Sequence, residues 1–303
     1  MAPAVEAQGV VMGEAFEPEP RFGFRVGIAI PARNEASTIR ASILRVLQQS
    51  GCHPRTVAVV VNGSTDGTHA EALSVTQQTC LPEGTRIVVA SIEHASKPAA
   101  LNEADEHLSD CDVRIYLDAD VELSGNAFTE MISALEDPRP RIVQPTRRVS
   151  EQASGLVRVF GRSLCALPWV RGDIACGGVF AVNRAARSRW QDFPAIAADD
   201  AFVFTRFSPD ERTVLEGCWA THPFPPSVGG LVRQQRRWSD ARRQLLRTGL
   251  CGPHGSRWSL RMRLHALAKR PSLVLAATVV RLIRFAAALA PRRLSKDSWM
   301  PER

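Results

Sequence analysis

Asp118 and Asp120 flank Ala119 at the end of the apolar run Arg114-Ile115-Tyr116-Leu117. Residues i and i+2 of a strand point the same way, so both carboxylates can face one small volume. Two acids held together repel unless a hydrogen-bond donor or a divalent cation compensates them. A cation with open positions for phosphate oxygens is the natural compensator. Such a pair also arises by chance, and acids can simply cap the next helix, so its weight depends on its surroundings. A second acidic pair, Asp199-Asp200, follows Ala198 and opens an amphipathic helix, where first-turn acids suit the helix dipole. Gln234, Arg237 and Trp238 fall at i, i+3 and i+4 and therefore share one helix face. Gly177-Gly178 enters an apolar strand and permits close backbone approach, although a plain bulge looks the same.

The elements that must position these residues alternate between two periods. Phe24 to Ile30 reads as a strand ended by Pro31, Thr56 to Val61 as a fully buried strand, Thr85 to Ala90 as a third and Val113 to Leu117 as the fourth. Helical stripes fall between them, over Glu35–Gln49, Asp66–Gln78 and Lys97–Leu108. This alternation predicts a parallel sheet with helices on both faces, with ligands at the carboxyl ends of its strands. Three polar loops fall at those ends: Pro31–Glu35, Asn62–Asp66 and Asp118–Asp120. Neither GxGxxG nor GxxxxGK[ST] is present, which removes the main support for dinucleotide and P-loop readings. Beyond Asp120 the pattern is mixed. It predicts a serine-capped helix over Ser124–Glu136, a short strand Arg141–Gln144, a strand Cys176–Val182, a Pro-rich loop His222–Pro226 and a helix Leu231–Leu246.

The chain has 303 residues and a formal net charge of +7, distributed unevenly. Residues 231–303 carry 17 Lys/Arg against Asp240, Asp297 and Glu302, which leaves residues 1–230 at −7. A basic C-terminal quarter implies an anionic surface or ligand, or else a solvated basic face. Seven cysteines without a CxxC pair, and no signal-peptide pattern, read as free thiols in a reducing cytoplasm. The acidic, proline-bearing residues 1–21 read as a disordered lead-in, residues 22–248 as the catalytic domain and 249–303 as a basic helical segment.

From about Arg25 to Trp238 the chain resembles the family 2 glycosyltransferases, which have the GT-A fold. Ile30-Pro31-Ala32-Arg33-Asn34-Glu35 looks like the family's opening strand and turn, and Asn62-Gly63-Ser64-Thr65-Asp66-Gly67-Thr68 like its second loop. Ser96-Lys97-Pro98-Ala99-Ala100-Leu101-Asn102 is similar to GKxxALN, with serine for the first glycine. Asp118-Ala119-Asp120 matches DxD, Ala198-Asp199-Asp200 stands at the TED-like acids, and Gln234–Trp238 matches QxxRW. The fold implied is α/β and Rossmann-like, with a mostly parallel sheet and helices on both faces, plus a C-terminal helical segment.

The resemblance implies that Asp120 holds Mg²⁺ or Mn²⁺, with Asp118 nearer the ribose or a metal-bound water. It implies donor contacts from Pro31, Ala32, Arg33, Glu35, Asn62, Asp66, Lys97, Asn102 and Ala119. Asn62 stands where many relatives have an acid that reads the base, Asp66 has a helix cap as its alternative, and Lys97 a solvated first-turn lysine. Asp200 is the expected general base, with Asp199 tuning it; the alternative is two exposed helix acids. Gly177 and Gly178 would approach sugar or acceptor, Arg237 the diphosphate and Trp238 the acceptor, beside Gln234. The alternative there is a helix anchored by Trp238, with Gln235 and Arg236 solvated. His222 is either a further metal ligand or an exposed loop histidine.

Pro271–Ala290 is the one candidate membrane segment, but its unbroken apolar core Leu273–Val280 is short of about 20 residues. Arg281 and Arg284 would each cost about 2.5–3.5 kcal/mol at a bilayer centre. An amphipathic helix in an anionic interface and a helix packed on the catalytic domain remain. The expected activity is metal-dependent, inverting, non-processive transfer from a nucleotide sugar, UDP-linked before GDP-linked. Its acceptor is a hydroxyl on an amphiphilic or lipid-linked molecule, and no nucleic-acid partner is expected. The alternatives are a nucleotidyltransferase, which should show a Gly-rich basic loop after the first strand, and an inactive scaffold that binds through its basic tail.

Overall fold

The computed structural model describes residues 23–290 except 52, 53, 79, 151, 152, 154 and 172–176. The lead-in read at 1–21, the last residues 291–303, Cys176 and the His222 side chain lie outside the described part. The first half alternates strand and helix: β1 (Val26–Ala32), α1 (Ile39–Leu47), β2 (Thr56–Asn62), α2 (Thr68–Gln78), β3 (Arg86–Ile92), α3 (Lys97–His107) and β4 (Val113–Leu117). The second half comprises β5 (Glu122–Leu123), α4 (Ala127–Ser133), β6 (Ile142–Val149), α5 (Gly155–Ala166), α6 (Pro168–Arg171), β7 (Val179–Asn183), α7 (Arg184–Arg187), α8 (Asp199–Phe204) and β8 (Arg212–His222). Three helices close the chain: α9 (Val228–Arg247), α10 (Leu260–Lys269) and α11 (Ser272–Leu289).

The eight strands form one sheet in the order β3-β2-β1-β4-β7-β6-β8-β5. β3, β2, β1 and β4 are parallel, whereas β7 runs antiparallel to both β4 and β6. β1 and β2 are buried on both faces, which is why they read as uninterrupted apolar runs. Ile28, Ile30, Val57 and Val59 pack on one face with Ile39, Ile43, Phe128 and Met131. The small Ala29 and Ala58 turn to the other face, where Ala100, Leu101 and Ala104 of α3 pack with Phe202 and Val203 of α8. A third cluster joins Val157, Phe160 and Leu164 of α5 to Leu231 of α9 and Ala276 and Val280 of α11.

Several sequence expectations shift. β1 runs through Pro31 instead of stopping there, because its register with β4 ends at Ala29 and only β2 continues beside it. The proline therefore has an open side on which its missing N–H costs no ladder bond. Ser124 does not cap α4; its Oγ accepts the Trp219 N–H at 3.1 Å and pins β8. β6 is twice the expected length, continuing past an irregularity between Pro145 and Thr146. β8, α5 and α10 are elements that the sequence pattern did not show, and His222 ends a strand, not a loop.

Candidate active site

β1, β2 and β4 end at the same edge, and their loops are stitched together there. Asn34 adopts a left-handed backbone (φ 54°). Its N–H donates to Ser64 Oγ at 3.0 Å, and its Oδ1 accepts the Thr65 N–H at 2.9 Å. Asp66 accepts the backbone N–H groups of Thr68 (3.1 Å) and Ala36 (3.2 Å), so its carboxylate caps α2 and ties the first loop to the second. Burial opposes its charge, but these bonds hold its pKa below the usual carboxylate value. Asn62 is fully buried and donates to Ala32 O at 3.0 Å, an inter-strand clamp in place of a solvent-facing base reader. Arg33 and Glu35 in the first loop are buried as well.

Asp118 follows β4 directly, its N–H donating to Gly178 O at 2.7 Å. Gly178 has φ +77°, and a side chain there would come within 2.9 Å of Asp118 Oδ2 and 2.7 Å of Val121. Glycine is thus required both by conformation and by the approach of the carboxylate. Lys97, first in α3, binds Asp118 Oδ1 at 2.7 Å and Asp199 Oδ2 at 3.1 Å. One ammonium therefore bridges the two acidic pairs that the sequence separates by some eighty positions. Burial works against that ammonium, but Asp118, Asp199 and Asp200 hold it protonated far above its ordinary range.

The other acids lean the opposite way. Burial, then the charges of Asp118 and Glu35, raise the Asp120 carboxyl to about 7. Burial, then Asp199, raise Asp200 to about 7. Asp199 is buried and also raised, by burial first, with Lys97 opposing. Arg237 of α9 faces the site: burial lowers its pKa, while Asp118 and Asp120 pull it back up. Gln234, Arg237 and Trp238 are half-buried, and Gln235, expected to be solvated, is the buried member of that turn.

Two predicted contacts take another form. Asn102 donates to Phe193 O at 3.0 Å and accepts the Phe193 N–H at 2.7 Å, so its amide anchors the segment leading to Asp199. Gly177 lies outside β7, against Arg147, whose Nε would be 3.0 Å from a side chain at Gly177. Arg147 is the residue that the sequence did not mark, because β6 was read as ending before it. A cavity of about 370 Å³ lies elsewhere, around Asn102, Asp105, Arg114 and Arg187. Its Asp105 is already paired with both arginines, so it carries no evident chemistry.

A mixed sheet of this order, with paired acids beyond its central strand and a second acidic pair facing them, defines a GT-A glycosyltransferase. The model of glycosyl transferase family 2 matches residues 27–212, and the chain belongs to that family. Among solved structures the fold is similar to a mannosyltransferase from Pyrobaculum calidifontis in complex with GDP-Man and Mn²⁺. The two share 18% identity over 91% of this chain and 79% of that one, with a TM-score of 0.61. It is also similar to S. aureus TarS (residues 1–349) in complex with UDP, at 12% identity over 87% of each chain and a TM-score of 0.51. No curated protein sequence matched.

Proposed function

We propose that this domain transfers a sugar from a nucleotide diphosphate sugar to an acceptor hydroxyl with inversion, using Mg²⁺ or Mn²⁺, one residue per binding event. The carrying observation is the Lys97 bridge. Asp118 and Asp199 both contact that one ammonium. This supports reading Asp118 as the donor-side acid, Asp199 as the acceptor-side acid, and their meeting point as the place where donor and acceptor would converge. The side chains suit a divalent cation. Asp120 lies among more negative charge than its surroundings compensate, and no group of three or more His, Cys, Asp or Glu gathers among the described residues. Two carboxylates leave most of a hard cation's oxygen shell to water and diphosphate. When bound, the cation would offset charge developing on the leaving diphosphate. Arg237, over Asp118 and Asp120, adds a fixed positive charge on the same side. Asp200, half-buried and ionising near neutrality, takes the proton of the attacking hydroxyl. Asp199, held by Lys97, keeps that proton affinity high, and Trp238 borders the acceptor.

A UDP-sugar is the first donor to test and a GDP-sugar the second, in keeping with the UDP and GDP-Man held by the two similar structures. The domain would work at an anionic membrane surface on an amphiphilic acceptor, a reading supported by the exposed apolar side of α10 and α11 between basic residues. Thermal unfolding with Mn²⁺ and a panel of UDP-, GDP- and dTDP-sugars tests the donor half. At least one donor at a hundredfold excess over its Kd should add about 2.7 kcal/mol, seen as a rise of several degrees. EDTA or Asp120→Ala should remove it. If no donor shifts the wild-type protein, the transferase reading fails.

A further inference from the structure

Lys97 opens α3, where Ser96 Oγ accepts the Ala99 N–H at 3.2 Å. A helix N-terminus carries positive partial charge, so an ammonium there sits at the unfavourable end of the helix dipole. Carboxylates from outside the helix hold it instead: Asp118 Oδ1 at 2.7 Å and Asp199 Oδ2 at 3.1 Å. The two contacts are not equivalent. The Asp118 side chain is 26% exposed and the Asp199 side chain 7%. Stripping a carboxylate of its cation costs more the deeper the carboxylate lies. Asp118 is therefore the partner that the ammonium can release, although it is the nearer one.

Both ends of that contact differ in their freedom. Asp118 is tied by its N–H to Gly178 O at 2.7 Å. Its Oδ2 lies against Gly178, 2.9 Å from where a side chain there would begin, so Oδ1 is the oxygen on the Lys97 side. The lysine, by contrast, carries its charge on a flexible stem with rotatable donors. A divalent cation beside Asp118 and Asp120 needs the Asp118 carboxylate, and an ammonium 2.7 Å from Oδ1 opposes it. Cation and ammonium thus compete for one carboxylate.

We propose that Lys97 is an exchangeable counter-ion, which gives up Asp118 when a divalent cation takes that carboxylate and stays with Asp199. This rests on the glycosyl-transfer reading for its consequence, which is that donor loading draws the ammonium toward the acid beside Asp200. The exchange itself is measurable with metal alone. The probe is Mn²⁺ titrated into the full chain without nucleotide, with free Mn²⁺ followed by electron paramagnetic resonance. Lys97→Met removes the competitor and should tighten Mn²⁺ binding about tenfold, a usual size for coupling between two ligands. The gain should persist in about 0.5 M NaCl, where charge effects beyond direct contact are screened. Lys97→Arg supplies a planar fork that grips a carboxylate through two bonds, and should weaken Mn²⁺ binding several-fold. A lysine that merely builds the site predicts other signs: looser binding in Lys97→Met and wild-type binding in Lys97→Arg. Mn²⁺ binding in Lys97→Met no tighter than in wild type would overturn the proposal. If that variant does not fold, Lys97→Arg decides, and wild-type affinity there overturns it. The nucleotide-sugar thermal shift is measured on wild type in parallel. Absence of any donor shift, with both Mn²⁺ changes observed, would sink the transferase reading and leave the exchange standing. A donor shift without those changes would do the reverse.

Discussion

Asp200 is raised to about 7 by burial and by the charge of Asp199 acting in the same direction, and this has two consequences of opposite use. For catalysis, the carboxyl can accept a proton only when ionised. The proposed transferase should therefore show kcat/KM rising with pH to a plateau above about 7. Asp200→Asn should lower kcat by about 10²–10⁴-fold, keep the donor-induced thermal shift and flatten that limb; an unchanged profile would place the base elsewhere. For stability the sign reverses. The folded carboxyl holds its proton more tightly than the unfolded one, whose pKa is near 3.9. Its favourable contribution is complete below about pH 4 and is lost as pH climbs through the folded value. Asp200→Asn should accordingly leave Tm unchanged at pH 4 and raise it at pH 8. A variant that is less stable at both pH values would show that the side chain is structural.

Buried charge also holds the elements behind the site. Asp105 of α3 takes Arg114 of β4 at 2.6 Å, Tyr116 Oη at 2.8 Å and Arg187 of α7 at 2.8 Å, with its carboxylate almost wholly enclosed. Removing it takes this acceptor from the Arg114 guanidinium and the Tyr116 hydroxyl, while Arg187 keeps the Trp190 and Gln191 carbonyls. Asp105→Ala should cost about 3–5 kcal/mol in urea unfolding, whereas a loss below about 1 kcal/mol would mean that water replaces the carboxylate freely. None of this network was legible in the sequence, since nothing in Asp105 itself says which strand it will face. β1, β2 and β4 and their polar loops were legible, because strands buried on both faces appear as unbroken apolar runs. β8 was hidden by Glu216, Gly217 and a shifted register with β6. α5 was hidden by Gly161, a poor helix former, which is placed where Val149 and Phe224 come within about 3.1 Å of the space a side chain would fill. At the site, the four acids were evident from type and spacing. The Lys97–Asp199 half of the bridge and the Asn102 clamp on Phe193 were not, because each joins residues about ninety or more positions apart that only the closed sheet brings together.

At the scale of the molecule, the acidic body and the basic quarter meet along α11. Opposite its buried stripe, Leu275, Leu282, Phe285 and Leu289 form a second apolar stripe that is more than 60% exposed at every position. Leu260 and Leu264 of α10 add to it. α11 is long and apolar enough to cross a bilayer, with a mean hydropathy of 1.9 over 18 residues, but its other face is already packed on α5 and α9. A span would have to tear that packing away and carry Arg281 and Arg284 into hydrocarbon, at about 2.5–3.5 kcal/mol each. Lying in the interface would need neither, because the exposed stripe would enter the acyl boundary while Arg261, Lys269, Arg270 and Arg281 would reach lipid phosphates. The proposed surface should therefore bind phosphatidylglycerol-containing vesicles, weaken with added salt and detach after Leu282→Glu with Phe285→Glu. Those two substitutions touch no buried cluster, so Tm and the donor shift should stay at wild-type values. Deleting α11 would be a poorer test, since it would also uncover Leu231 and Phe160. Sedimentation that persists in the double variant, or that is unaffected by the anionic lipid, would remove the interfacial placement and leave α11 as a packed helix whose outer stripe serves another contact.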